Sequence, residues 1–307
     1  SAQRDSSILA WYTKNSNDTY KVYIGSDSAI YGNVDSSYLF AYIGYSSTCT
    51  TTTNSIVNIE LLNTTNVKNM EGMFKGFGYS KVEALSLGNN FDTSNVTNMK
   101  YMFADAGHEN MRSLDFGNNF NTSIVEDMSY MFQNTGYTKL ESLILGDTTD
   151  NSPFNTNIVE NMSYMFNNTG AKVLKNLNLG GNFNTSSATN MKYMFNGIGK
   201  DSAEFKNLNL GSKFNTSKVT DMSYMFQNAG YTALAGLDLG DNFDTKKVTN
   251  MSYMFNNTGH NAMTVLDLGP KFTNIPTPND QFMEGCGTSA LVVYAPESIY
   301  RTRNSFK

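Results

Sequence analysis

Six tyrosines recur at one position of a repeating phrase: Tyr101, Tyr130, Tyr164, Tyr193, Tyr224 and Tyr253. If the repeats stack as strands of a sheet do, about 5 Å apart, these side chains become a row. An exposed row offers flat apolar faces with hydroxyl tips, which suits protein or sugar contacts. The same rings could instead spend their faces on one another and only stabilise the row. A second candidate surface flanks the LxLG phrases. One column there reads Glu83, Arg112, Glu141, Lys175, Lys206, Ala235 and Thr264, and the next reads Ser86, Asp115, Ile144, Asn178, Asn209, Asp238 and Asp267. Such unlike residues on one polar face could engage a partner, or simply be solvated.

Other chemistry is thin. Asp238 and Asp267 in adjacent repeats are two carboxylates against the six to eight oxygens that Ca²⁺ takes. Asp147 and Asp150 invite a metal reading too, but no Gly and terminal Glu follow at EF-hand spacing, so the segment reads as a bulged surface loop. His108 and His260 share a column five repeats apart and cannot act together. Cys49 and Cys286 belong to opposite ends, too far apart for a disulfide, and read as buried thiols. No GxSxG, HExxH, P-loop, CxxC or strand–helix glycine fingerprint occurs. A catalytic centre needs one unlike spot, whereas this chain offers seven alike. The reading is non-catalytic, with no metal and no cofactor.

Composition narrows the classes further. A net charge of −5 with 16% charged residues lacks the basic face of a nucleic-acid binder. No apolar run approaches the roughly 20 residues of a membrane span. Aromatics at 13% are too many for a disordered polar chain.

The elements that must position these residues follow from the repeat. Phrases such as NVTNMKYMF (95–103) and IVEDMSYMF (124–132) occur seven times, with the first Met at 70, 99, 128, 162, 191, 222 and 251. Coils of this size cannot bury a core alone and must stack. LxLG alternates as a short strand does, and the Gly after it marks a sharp turn. Val125, Met128, Met131 and Phe132 fall at i, i+3, i+6 and i+7, which predicts about two helical or 3₁₀ turns with Tyr130 leaning outward. The coil is therefore α/β: a parallel sheet on one side and short helical or 3₁₀ segments on the other. The Asn/Asp column (Asn69 to Asn250) and the Thr column (Thr93 to Thr245) read as side chains that satisfy turn backbone groups. An ice-binding use of the Thr row would need it flat and exposed. Seven repeats occupy 63–272. Residues 1–62, where TYKVYIG and SSYLFAYIG read as hairpin strands, form a β-rich cap expected to cover the open edge. Residues 273–307 hold a degenerate repeat and the other cap. The chain starts without Met, so a signal or anchor is expected outside it.

With TSNVTNMKYMF at 93–103 and LDLG after the later copies, residues 63–296 resemble the BspA-type leucine-rich-repeat surface proteins of bacteria. The Cys of that family's MFxxC is kept only at Cys286, and the turn after MF is longer. The resemblance implies a right-handed leucine-rich-repeat solenoid, exported to the cell surface, with no shared catalytic site. It implies adhesion to a host or neighbouring-cell protein, extracellular matrix or glycan, without nucleic acid and without membrane insertion of this segment. A glycan-binding domain and a spacer within a larger cell-wall protein are the alternatives.

Overall fold

The computed structural model describes residues 9–16, 20–48, 58–146 and 154–300, the last without its side chain. Cys49 and the 147–153 part of the inserted loop, with Asp147 and Asp150, lie outside the described residues.

The chain is a solenoid of parallel strands. After the short pair β3 (Ile30–Tyr31) and β4 (Leu62–Asn63), six of the seven LxLG phrases give a three-residue strand: β5 (Ala84–Ser86), β6 (Ser113–Asp115), β7 (Ser142–Ile144), β8 (Asn176–Asn178), β9 (Gly236–Asp238) and β10 (Val265–Asp267), followed by β11 (Val292–Tyr294). Pairing is parallel and leucine-to-leucine: Leu85 opposite Leu114, Leu143 opposite Leu177, and Leu237 opposite Leu266. The copy with 31-residue spacing interrupts the sheet. Phe205 stands where Leu174 stands one coil earlier, but two residues later after the preceding Gly, and Asn207 pairs with Gly236 only as an isolated bridge. Leu208 and Leu210 stay buried, so the core tolerates the slip.

On the other side of each coil the expected helical turns are absent. The only helices among the described residues are a 3₁₀ turn, Ile59–Leu61, and α1, Glu297–Tyr300. The MSYMF segments are chains of β-turns instead. In one copy the N–H groups of Met131, Gln133 and Thr135 donate to the carbonyls of Met128, Tyr130 and Phe132. The alternate N–H groups, of Met128, Tyr130, Phe132 and Asn134, donate to carbonyls of the next coil at 2.8–3.1 Å. Turns whose third residue has positive φ bring the chain back every second peptide, and Tyr130, Asn134 and Gly136 have φ of 62°, 54° and 52°. Left-handed residues at these places forbid a helix. The burial expected of Val125, Met128, Met131 and Phe132 holds, since each is fully buried. The spacing was that of successive turns, not of a 3.6-residue period.

The core is built in rows. Phe40, Phe74, Phe103, Phe132, Phe166, Phe195, Phe226 and Phe255 stack with centroids 5.4–5.7 Å apart. The last step, to Phe282, turns edge-on at 77°.

The amino-terminal region departs from expectation. TYKVYIG does pair as a hairpin strand: β1 (Leu9–Lys14) runs antiparallel to β2 (Tyr20–Gly25). SSYLFAYIG does not. Tyr38 and Tyr42 have φ of 56° and 60°, and the N–H groups of Ser36, Tyr38, Phe40 and Tyr42 donate to the next coil, so this stretch is a further turn segment. Nor does the hairpin cover the end of the stack, because Leu39 and Ile43 remain 43% and 42% exposed.

Candidate binding surfaces

The Asn/Asp column acts first. Asn69, Asn98, Asp127, Asn161, Asn190, Asp221 and Asn250 each accept, at Oδ1, the N–H two residues on, at 2.7–3.1 Å. This Asx turn starts the chain of β-turns, the first of which has the tyrosine as its third residue. Each Tyr is thereby held at φ of 57–62°, a region that a bulky residue rarely enters.

The tyrosine row is continuous and closed upon itself. Successive rings from Tyr101 to Tyr253 stack with centroids 4.3–4.7 Å apart. All six are half-buried. The flat faces offered for sugar stacking are therefore occupied by neighbouring rings, and edges and hydroxyls face outward. Lys75 Nζ lies 4.6 Å from the Tyr101 ring centroid at the amino-terminal end of the row. Burial pushes the Tyr130, Tyr164 and Tyr193 phenols above the ordinary value, with neighbouring tyrosines adding to it. The row skips one coil because Gly72 stands in its column; a Cβ there would lie 2.4 Å from the Tyr38 ring, which covers the site.

The Thr column is structural. Thr93, Thr122, Thr156, Thr185, Thr216 and Thr245 are fully buried. Thr156 Oγ1 donates to the Asn184 carbonyl at 2.9 Å and accepts the Asn184 N–H at 2.8 Å, linking two coils. A buried row cannot meet ice, which removes that reading. A further link was not foreseen: Gln133, Asn167, Asn196, Gln227 and Asn256 pass side-chain amide hydrogen bonds from coil to coil. Its signal was in the sequence, as the invariable amide after MF from Gln133 on.

The strand face has two kinds of residue. Asp115, Asn178, Asn209, Asp238 and Asp267 each accept the N–H of the turn Gly two residues on, at 2.8–3.0 Å. One oxygen of each is thus a turn cap, while the rest of the side chain faces outward. Arg112, Glu141, Lys175 and Lys206 are exposed. Lys175 pairs with Glu141 at 2.8 Å and holds its carboxyl below the ordinary range. Lys206 stands 3.8 Å from Glu204.

At the carboxy-terminal coils this face hollows into an open groove of about 1210 Å³. Asn209, Asp238, Asp267, Val265 and Tyr294 line it. Val265 and Tyr294 are 41% and 54% exposed. Sequence reading missed both, although an apolar residue beside the inward Leu of a strand must face out.

Cys286 is half-buried, and burial pushes its thiol up to about 12. His108 lies between Tyr79 and Tyr137 at 4.5 and 4.7 Å, whereas His260 stacks on Tyr231 and bonds the Gly285 carbonyl at 2.7 Å. They belong to separate stacks, as their spacing required. Among the described residues no three His, Cys, Asp or Glu stand together as a metal site would need.

No curated protein and no solved structure matches the chain. Residues 45–144 and 139–265 match the model of a repeat family, and on that match the chain belongs to the family described as Mycoplasma protein of unknown function, DUF285.

Proposed function

We propose that this chain is a non-catalytic binding domain of a bacterial cell surface, which adheres to a protein of a host or neighbouring cell through the strand side of its solenoid. The observation that carries the reading is the groove over the last coils. There exposed Val265 and Tyr294 stand beside the amide donor of Asn209 and the second carboxylate oxygens of Asp238 and Asp267. Apolar anchors rimmed by polar groups are what a protein partner engages. The tyrosine row supports a glycan less well, since its rings are stacked face to face. The likeness of the repeat to BspA-type leucine-rich-repeat proteins supports export and adhesion. Binding of this kind is non-covalent, and repetition along the solenoid allows several weak contacts to act together.

The test is binding of the purified domain to a panel of extracellular-matrix proteins and to an arrayed glycan set. A Val265→Lys/Tyr294→Lys variant and a Tyr130→Ala/Tyr164→Ala/Tyr193→Ala variant are run beside it. The proposal expects saturable binding to a protein, weakened at least about tenfold by the groove variant, equivalent to about 1.4 kcal/mol. Loss confined to the tyrosine variant, with a glycan bound, would make the domain a lectin. A folded sample that binds nothing would leave a spacer as the better reading.

A further inference from the structure

The two ends of the solenoid are complementary. Within the stack one rule repeats: the Tyr, Phe and Asn positions of each turn segment donate their N–H to the next coil, as Tyr130 does to Ser163, Phe132 to Met165 and Asn134 to Asn167. One position further on, the Gly of the later coil donates back, as Gly78 does to the Ile43 carbonyl and Gly287 to that of Thr258. The last turn segment, around Gln281–Cys286, has the same form, with Gln281 and Gly285 at φ of 48° and 69°. It receives Tyr253, Phe255 and Asn257 on its inner side. On its outer side the N–H groups of Gln281, Met283 and Gly285 and the carbonyl of Cys286 have no partner among the described residues. The first turn segment shows the converse. The carbonyls of Ser37, Leu39 and Ala41 and the N–H of Gly44 have no partner among the described residues.

We propose that a second copy of this chain docks head to tail, placing its first turn segment on the last one of the first copy. Gln281 N–H then meets the Ser37 carbonyl, Met283 that of Leu39 and Gly285 that of Ala41, while Gly44 N–H returns a bond to the Cys286 carbonyl. These are the same four bonds that join coils inside the molecule. Burial favours the same contact. Tyr38, Leu39 and Ile43 are 43%, 43% and 42% exposed at the first end, in columns that are buried or half-buried in every inner coil. Beyond Tyr38 and Phe40 the tyrosine and phenylalanine columns have no further ring, and at the far end Gln281 and Met283 continue those columns. Ile299 of α1 joins the core cluster and closes part of that end, leaving the turn side open. The contact joins unlike surfaces, so it does not close after two copies and extends into a chain of molecules. A row of unpaired backbone groups is a template for such pairing wherever nothing blocks it.

The test uses sedimentation velocity and light scattering over a rising concentration series, with negative-stain images. The proposal expects mass to grow in steps of one 34.0 kDa chain and particles to lengthen without widening. Two variants each block one end on exposed side chains: Leu39→Arg/Ile43→Arg at the first, Gln281→Arg/Glu284→Arg at the last. Each alone is expected to stay monomeric with an unchanged circular dichroism spectrum. Mixed, they still hold one open end of each kind and are expected to form a dimer that grows no further. An unaltered chain that stays monomeric throughout the series overturns the proposal. So does a one-end variant that still dimerises, because the contact would then join like ends. Should a variant fail to fold, hydrogen exchange on the unaltered chain decides: the Gln281, Met283 and Gly285 amides must gain protection as concentration rises, and constant exchange there rejects the contact.

Discussion

At the residue scale the unusual feature is a tyrosine kept where glycine or asparagine belongs. A left-handed L-residue costs roughly 1–2 kcal/mol. Tyr164 bears that at φ 58° while stacking on Tyr130 and Tyr193 at 4.4 Å each. Each aromatic pair returns about 0.5–1.5 kcal/mol beyond the area it buries, so two pairs offset the strain. The two terms can be separated. Tyr164→Ala loses both stacks and keeps the strain, and is expected to cost about 1–3 kcal/mol in urea unfolding. Tyr164→Gly loses the stacks but relieves the strain, and should be the more stable of the two by about 1 kcal/mol. Should the Gly variant prove the weaker, backbone strain is not what the ring contacts offset. Sequence alone could place the six tyrosines in a row and weigh stacking against exposure. It could not decide, because the turn that aims the rings is set by the sign of φ, which no periodicity reports.

At the scale of the element, side chains do for this solenoid what helices do in other repeats. The Asn69-to-Asn250 column starts each turn chain, and the buried threonines fasten each coil to the next. Both roles were legible, because strictly repeated Asn and Thr beside turns have few other uses. The helix was not. Burial at i, i+3, i+6 and i+7 is produced alike by two helical turns and by successive β-turns, and only the left-handed positions at Tyr, Asn and Gly tell them apart. The Thr link allows a clean measurement. Thr156→Val keeps the shape, removes the hydroxyl and leaves the Asn184 carbonyl and N–H unpaired beside a fully buried side chain. At about 1–3 kcal/mol for each group left without a partner, the loss should be about 2–6 kcal/mol by chemical denaturation. Thr189→Val is the control: its hydroxyl donates to the Glu160 carbonyl at 3.2 Å, but the residue is exposed and water replaces the bond. Equal losses for the two would mean that burial of the Thr column is not what gives it weight.

For the whole molecule, stability runs along one dimension, since each coil touches only its neighbours. Phe195 illustrates the consequence. It is fully buried between Phe166 and Phe226, at 5.4 and 5.6 Å, near the middle of the stack. Phe195→Ala removes a ring from both interfaces and is expected to cost about 3–5 kcal/mol. In a globular core that loss would be shared by the whole structure. Here the coils on either side keep their own ladders, so amide protection should fall around 191–199 and in the facing turns at 162–170 and 222–230. The amides of Tyr101, Phe103 and Tyr253, which donate across more distant coil boundaries, should stay close to their protection in the unaltered chain. Hydrogen exchange read by mass spectrometry checks this. A uniform loss over all coils would show one cooperative unit, contrary to nearest-neighbour stacking. A local loss would mean that the Val265 and Tyr294 end of the groove, two and three coils from Phe195, can survive damage there, a property suited to a surface module that presents its groove at the end of a long scaffold.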